Sequence, residues 1–273
     1  MAISGADFTY LRSLVLQHSA ISIDSSSEYL AESRLARLAM VEGQTSVGAF
    51  LSLLRMKPFG AVHRQVLDAM TNNETWFFRD LHPFDLLKRH LLPELILKRA
   101  SVRRLNIWSA ASSSGQEAYS LAMMLEEDFP ELRNWNVRIL GTDISSAILN
   151  RARSGRYSQM EVNRGLPARL LTRYFRREGL EWIINDSIRN RVQFEPLNLS
   201  KPWPPMPPMD VILMRNVLIY FEVPVKQQIL AQARSAMFPD GYLFLGSAES
   251  TINLDSELER VAFERTACYR RRS

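Results

Sequence analysis

The chain has 273 residues, 46% hydrophobic and 23% charged, enough apolar material for a large core, which excludes a disordered tail. Its single cysteine, Cys268, excludes an intramolecular disulfide, and no stretch approaches the roughly 18 uninterrupted apolar residues of a membrane span. Net charge is +5, and residues 156–195 hold eight arginines against five acids, a patch that reads either as attraction for an acidic partner or as a solvated face.

Residues 1–70 carry only helical periodicity. Phe8, Leu11, Leu14 and Val15 mark one face, Tyr29, Leu30, Leu35 and Leu38 a second. Val47, Phe50, Leu51 and Leu54 mark a third, and Val62, Val66, Leu67 and Met70 a fourth. A long amphipathic helix is expected over Phe84–Arg99. From Leu105 the rhythm becomes strand and helix in alternation, with strands at Leu105–Ser109, Val137–Thr142, Val192–Glu195, Val211–Met214 and Tyr242–Leu245. Asp240-Gly241 reads as the turn into the last of these, and Phe263–Tyr269 as a terminal edge strand added by a hairpin. Helices are expected at Glu117–Asp128, Ser146–Arg153 and Pro224–Phe238. This alternation predicts an α/β fold with a doubly wound parallel sheet. Nearly forty residues between Ser154 and Val192 break the rhythm and read as an inserted subdomain, with a helix at Pro167–Phe175 and a hairpin arm at Leu180–Ile184. The prolines of Lys201–Met209 make that stretch a stiff loop.

Candidate chemistry gathers at the strand ends. Leu105–Trp108 runs through the small residues Ala110–Ser114 and Gly115 into a helix, a nucleoside-sized turn that lacks the glycines of a dinucleotide fingerprint. Glu117 opens that helix, where an acid either complements the dipole or faces a cationic cofactor. Asp143 closes the second strand, placed either to accept ribose hydroxyls or to cap the helix after it. Asn198-Leu199 and Arg215-Asn216-Val217 end the next two strands, and asparagine offers both donor and acceptor. Thr71–Arg79 joins the two regions with a polar run followed by three aromatics, Trp76, Phe77 and Phe78.

Taken in order, several of these stretches resemble the chemotaxis receptor glutamate methyltransferases, the CheR family. They are Asn73-x-Thr75-x-Phe77-Phe78-Arg79, Trp108-Ser109-Ala110-Ala111 with Gly115-x-Glu117-x-Tyr119-Ser120, Gly141-Thr142-Asp143-Ile144, Asn198-Leu199, and Arg215-Asn216-Val217-Leu218-Ile219-Tyr220-Phe221. The likeness covers essentially the whole chain. It implies a Rossmann-like S-adenosylmethionine methyltransferase sheet with an inserted small β subdomain, preceded by a small all-α domain. It also implies methyl esterification of glutamates on the cytoplasmic helical bundle of chemoreceptors, with S-adenosylhomocysteine as product. By position, Asn73, Thr75, Arg79, Glu117, Asp143, Asn198, Leu199, Asn216 and Val217 resemble the cofactor contacts. Arg79 and Tyr220 resemble the catalytic pair, and Arg34 and Arg37 the receptor-facing basic helix.

The resemblance sets the expected domains at 1–70 for receptor recognition, 71–83 for a linker that enters the active site, and 84–273 for methyl transfer, with the insertion about 156–191. A cytoplasmic monomer is expected: one cysteine suits a reducing compartment, and Met1–Tyr10 lack the basic start and apolar run of a secretory signal. No metal is expected, because the four histidines show no i, i+4 pairing. Receptor-tail tethering within this family goes with a longer glycine-rich turn in the insertion, and Phe175–Glu181 is short, so tether-independent action is expected. Two other functions share the fold. A nucleic-acid methyltransferase would want a proline-bracketed catalytic loop where Arg215-Asn216-Val217 stands. A non-catalytic cofactor sensor or scaffold has no need of Arg79 and Tyr220.

Overall fold

The computed structural model describes residues 3–263 and 266–272. The chain divides into two compact units, one of Met1–Asn72 with Tyr220–Val225, the other of Asn73–Ile219 with Lys226–Ser273.

The first unit is helical: α1 (Gly5–Ser19), α2 (Glu28–Val41), α3 (Val47–Arg55) and α4 (Ala61–Met70). Ser4 and Ser46 cap α1 and α3 by accepting the amides of Asp7 and Ala49. The predicted faces meet in one core that includes Phe8, Leu11, Leu35, Phe50, Leu51 and Val66. Arg34 on α2 donates through Nη1 to the carbonyls of Met70 (2.8 Å) and Thr71 (3.3 Å), a cation on the carbonyl end of α4.

In the second unit the predicted helix over Phe84–Arg99 is instead α5 (His82–Leu86), a π-helical turn (Leu87–Leu91) and α6 (Leu92–Arg99). Pro93 has no N–H for the carbonyl four residues back, and the wider turn accommodates that loss. The strands are β1 (Arg104–Ala110), β2 (Asn136–Asp143), β3 (Arg156–Ser158), β4 (Phe175–Glu178), β5 (Glu181–Ile184), β6 (Val192–Pro196), β7 (Met209–Met214), β8 (Met237–Leu245), β9 (Leu258–Phe263) and β10 (Thr266–Arg271). Helices α7 (Gln116–Asp128), α8 (Ser146–Ser154), α9 (Gln159–Asn163), α10 (Ala168–Tyr174), α11 (Asp186–Arg189) and α12 (Val223–Ala236) lie between them.

Seven strands form one sheet in the order β6-β2-β1-β7-β8-β10-β9. The first five are parallel, and β10 and β9 add as an antiparallel pair. The chain winds outward from β1 to β2 and β6, then restarts at β7 on the other side of β1. That reversal opens a crevice beyond the carboxyl ends of β1 and β7. β1 is buried on both faces: Leu105 and Ile107 join the main core, while the Trp108 ring meets Trp203 edge-on at 4.9 Å.

Two strand expectations also need correction. Asp240-Gly241 is a bulge within β8, where a Cβ on Gly241 would lie 2.8 Å from the Met209 carbonyl, and Asp240 is drawn to Arg99 (2.6 Å). The terminal strand expected over Phe263–Tyr269 is added by a hairpin as expected, but its counterpart β10 lies inside the sheet between β8 and β9, and β9 is the edge. Positions 264 and 265 of that stretch lie outside the described residues.

β3, β5 and β4 form the small inserted sheet. Phe77 of the linker is fully buried against the insertion, edge-on to Tyr157 (5.0 Å) and Phe175 (5.7 Å). The linker aromatics therefore include a core residue of the sheet unit.

Candidate functional site

The small-residue turn after β1 is held in a conformation that side chains resist. Ala111 and Ser113 have φ of +54° and +51°, and Gly115, at +90°, starts α7. A Cβ on Gly115 would meet the Phe194 ring at 2.9 Å, so this one glycine is required by both angle and space. The strain is held by hydrogen bonds. Ser112 N donates to Thr142 O (2.8 Å), Ser113 N to Asp143 Oδ2 (2.9 Å), and the Tyr157 hydroxyl to Ser114 O (2.8 Å). Burial pushes the Tyr157 and Tyr119 phenols above the usual range, so both stay protonated donors.

Asp143 is not itself the cap of the helix that follows β2, which was one of its two sequence readings. It stands buried at the carboxyl end of β2, and its Oδ1 accepts from Ser145 N (3.0 Å) while Ser145 itself caps α8. Leu197 N donates to Asp143 O (2.9 Å), which brings Asn198 and the buried Leu199 beside it at the end of β6. Asn198 Oδ1 accepts from Ser200 N and Oγ, which fixes its amide.

Glu117 has protein partners at both of its oxygens. Its Oε1 accepts from Ser109 Oγ (2.8 Å) and its Oε2 from Arg215 Nη1 (2.8 Å). Arg215, with its side chain almost wholly buried, also reaches Asp80 Oδ2 (2.6 Å) and the Arg79 carbonyl (2.9 Å) through Nη2. One guanidinium thus joins the first turn of α7, the end of β7 and the linker.

The linker lies along the turn. Ser113 Oγ donates to Asn73 O (2.8 Å), and Phe78 N donates to Ser120 Oγ (2.9 Å). Thr75 is half-buried on the same stretch. Arg79 Nη1 donates to Glu74 O (3.1 Å), its Cζ lies 4.3 Å from the Trp76 ring centroid, and its Nε is buried without a partner.

Past β7, Asn216 takes φ +58°, and Val217 is buried. Asn216 N donates to Glu249 Oε2 (2.7 Å), which also accepts from Gly246 N (2.6 Å), while Ile219 N donates to Oε1 (3.3 Å). Glu249 escaped the sequence reading. Its signal was its place just past the end of β8, the position in the fold that Asn198 and Asn216 hold after β6 and β7. Asn216 Oδ1 and Ser112 Oγ are buried without hydrogen-bond partners.

Tyr220 belongs to the helical unit, where Asn72 Nδ2 donates to its hydroxyl (2.8 Å) and Ser22 N to its carbonyl (3.1 Å). Arg37 is exposed on α2, whereas Arg34 is engaged with the end of α4. The arginine patch of the insertion is largely spent internally. Arg156 pairs with Glu178 and Glu181, Arg169 and Arg173 with Glu127, Arg189 with Asp186, and Arg191 with Glu126.

Comparison with known proteins agrees along the whole chain. The family model described as the CheR methyltransferase SAM binding domain matches residues 73–267, and that described as its all-alpha domain matches residues 6–71. Chemotaxis protein methyltransferase 1 of Pseudomonas aeruginosa is 39% identical over 275 residues, covering 99% of each chain. Chemotaxis protein methyltransferase Cher2 of Pseudomonas putida is 36% identical and covers 96% of each, and a chemotaxis protein methyltransferase of Vibrio parahaemolyticus is 38% identical and covers 88% of each.

Proposed function

The chain belongs to the CheR methyltransferase family, the S-adenosylmethionine-dependent methyltransferases of chemotaxis, and from that premise we propose that it esterifies glutamate side chains on chemoreceptor cytoplasmic helices. The acceptors present suit the cofactor. A ligand with ribose hydroxyls and an ammonium brings hydrogen-bond donors, and the crevice offers the acceptors Asp143, Ser112 Oγ and Asn216 Oδ1, the last two buried without partners. Those two orphaned acceptors are the observation that carries the reading. When bound, the cofactor supplies an electrophilic methyl group on a sulfonium. Asn73, Thr75, Glu117, Asn198, Leu199 and Val217 complete the proposed pocket, with Glu117 acting as half of its ion pair with Arg215.

A glutamate carboxylate, with an ordinary pKa of about 4.3, is already a nucleophile near neutral pH. The site therefore needs no general base. What it must do is hold one carboxylate oxygen in line with the methyl group and exclude water while opposite charges cancel. Arg79 is assigned to pair with the carboxylate. Tyr220 is assigned to orient it: its hydroxyl oxygen accepts from Asn72 Nδ2, which leaves its proton available to donate. Arg37, exposed on α2, is the residue assigned to the acidic methylation region of the receptor. The insertion is assigned no tethering role, because β4 and β5 are joined by only Gly179 and Leu180.

The test is incubation with labelled S-adenosylmethionine and receptor cytoplasmic fragments, followed by base. A glutamate methyl ester releases its label as methanol. Label that survives base, as on an amine or a nucleobase, would refute the reading.

A further inference from the structure

One aromatic residue of the linker carries more than its packing requires. Trp76 is half-buried, and two guanidiniums share its indole: the Cζ of Arg79 lies 4.3 Å from the ring centroid and that of Arg164 lies 3.9 Å. Arg164 comes from the inserted subdomain and is fixed a second time by Glu74, whose Oε1 accepts from its Nη2 at 2.8 Å. The next residue, Gly165, has φ +80° and packs so close to the Phe77 carbonyl that a Cβ would collide with it. The insertion thus grips the linker at Glu74, Trp76 and Phe77 through two consecutive residues.

Charge gives the arrangement a direction. Glu74 neutralises Arg164, so the cation left on the indole is that of Arg79. A ring face restrains a guanidinium in tilt and distance while leaving its N–H edge available, since stacking consumes no donor. Arg79 Nη1 is tied to the Glu74 carbonyl, and the Arg79 carbonyl is tied to Arg215. Its backbone and one nitrogen are therefore fixed, and the indole supplies the restraint on the plane of the guanidinium.

We propose that Trp76 and Arg164 are positioning residues: the insertion, acting through the Trp76 indole, sets the orientation of the Arg79 guanidinium toward the substrate carboxylate. This rests on the role assigned to Arg79 above. It gives the inserted subdomain a part in methyl transfer through the linker, apart from any docking of a receptor tail.

The experiment is a kinetic series on the full chain with a receptor fragment as substrate, combined with amide hydrogen exchange over residues 74–80. Trp76→Ala is expected to lower kcat about tenfold at saturating cofactor, and Arg164→Ala about threefold, with KM for the receptor fragment changed less than kcat. Trp76→Phe, which keeps a weaker π face, and Arg164→Lys, which keeps a cation, should each recover part of the loss. In an Arg79→Ala background, Trp76→Ala should cost nothing further. Exchange over 74–80 should rise in Arg164→Ala without ligand. Additive losses in the double variant, or a parental kcat in Trp76→Ala while Arg79→Ala is slow, would overturn the proposal and leave the role of Arg79 standing. Parental kcat in Arg79→Ala would overturn both. Unchanged exchange over 74–80 in Arg164→Ala would overturn the grip of the insertion whatever the rates.

Discussion

At Asn216 a left-handed backbone and an orphaned side-chain oxygen meet in one residue. Asparagine tolerates that backbone better than most side chains, and the Glu249 carboxylate secures it by accepting the amides on both sides of the gap between β7 and β8. The gap is tight. A Cβ on Gly246 would lie 2.7 Å from Asn216 Nδ2 and 2.7 Å from Glu249 Oε2. Gly246→Ala is therefore expected to displace the carboxylate and weaken S-adenosylhomocysteine binding about tenfold by calorimetry, with a smaller effect on the melting temperature. Parental affinity in that variant would show that Asn216 does not depend on this brace. Asn216 was legible in the sequence because it stands at a strand end in a recognisable run. Glu249 was not, because its partners are backbone amides that only the tertiary fold brings together. Glu117 stood out in the sequence as an acid opening a helix but not as half of an ion pair, since Arg215 is 98 residues away along the chain.

Among the elements, the long alternating ones were readable and the short ones were not. β1, β2, β7 and α7 carry enough periodicity to place from sequence, whereas β3, α9 and α11 have three to five residues each and no period to detect. What fixes the insertion is a set of side-chain ties rather than a pattern. Glu127 at the end of α7 has a side chain only 5% exposed and accepts from the Tyr174 hydroxyl (2.6 Å), Arg169 and Arg173. The Tyr174 hydrogen bond, then Arg169 and Arg173, hold its carboxyl below the ordinary value of 4.5. In the unfolded chain the same group titrates at the ordinary value. Its stabilisation is therefore complete above pH 4.5 and is lost as the pH falls through the lower folded value. Urea melts of the parent should lose stability on acidification below pH 4.5 faster than those of Glu127→Gln. Equal slopes for the two proteins would remove Glu127 from the acid response.

For the whole molecule, the parallel character of the main sheet and the presence of a helical region ahead of it were legible in the switch of periodicity at Leu105, whereas the order of strands within the sheet was not. Nor was the membership of residues 220–225 in the helical unit, because nothing in Tyr220–Val225 signals a partner so far upstream. The two-residue turn between β4 and β5 bears on how this protein finds its substrate. Titration with a free receptor-tail peptide is expected to give no heat at micromolar concentrations, while receptor fragments lacking that tail are methylated as fast as those that carry it. Micromolar binding of the peptide would restore the tether.

The hydrogen bond from Asn72 to Tyr220 spans 148 residues of sequence. On a ribosome adding about 5–20 residues per second, roughly 7–30 s separate the two partners. During that interval the helices of residues 1–72 have emerged and can pack, but Ser22 N and Asn72 Nδ2 still lack the oxygens they hold in the finished fold. The segment proposed to orient the substrate is thus also the late-arriving piece of the earliest unit to be made, and a newborn chain acquires its Tyr220 geometry only after most of the sheet has been synthesised.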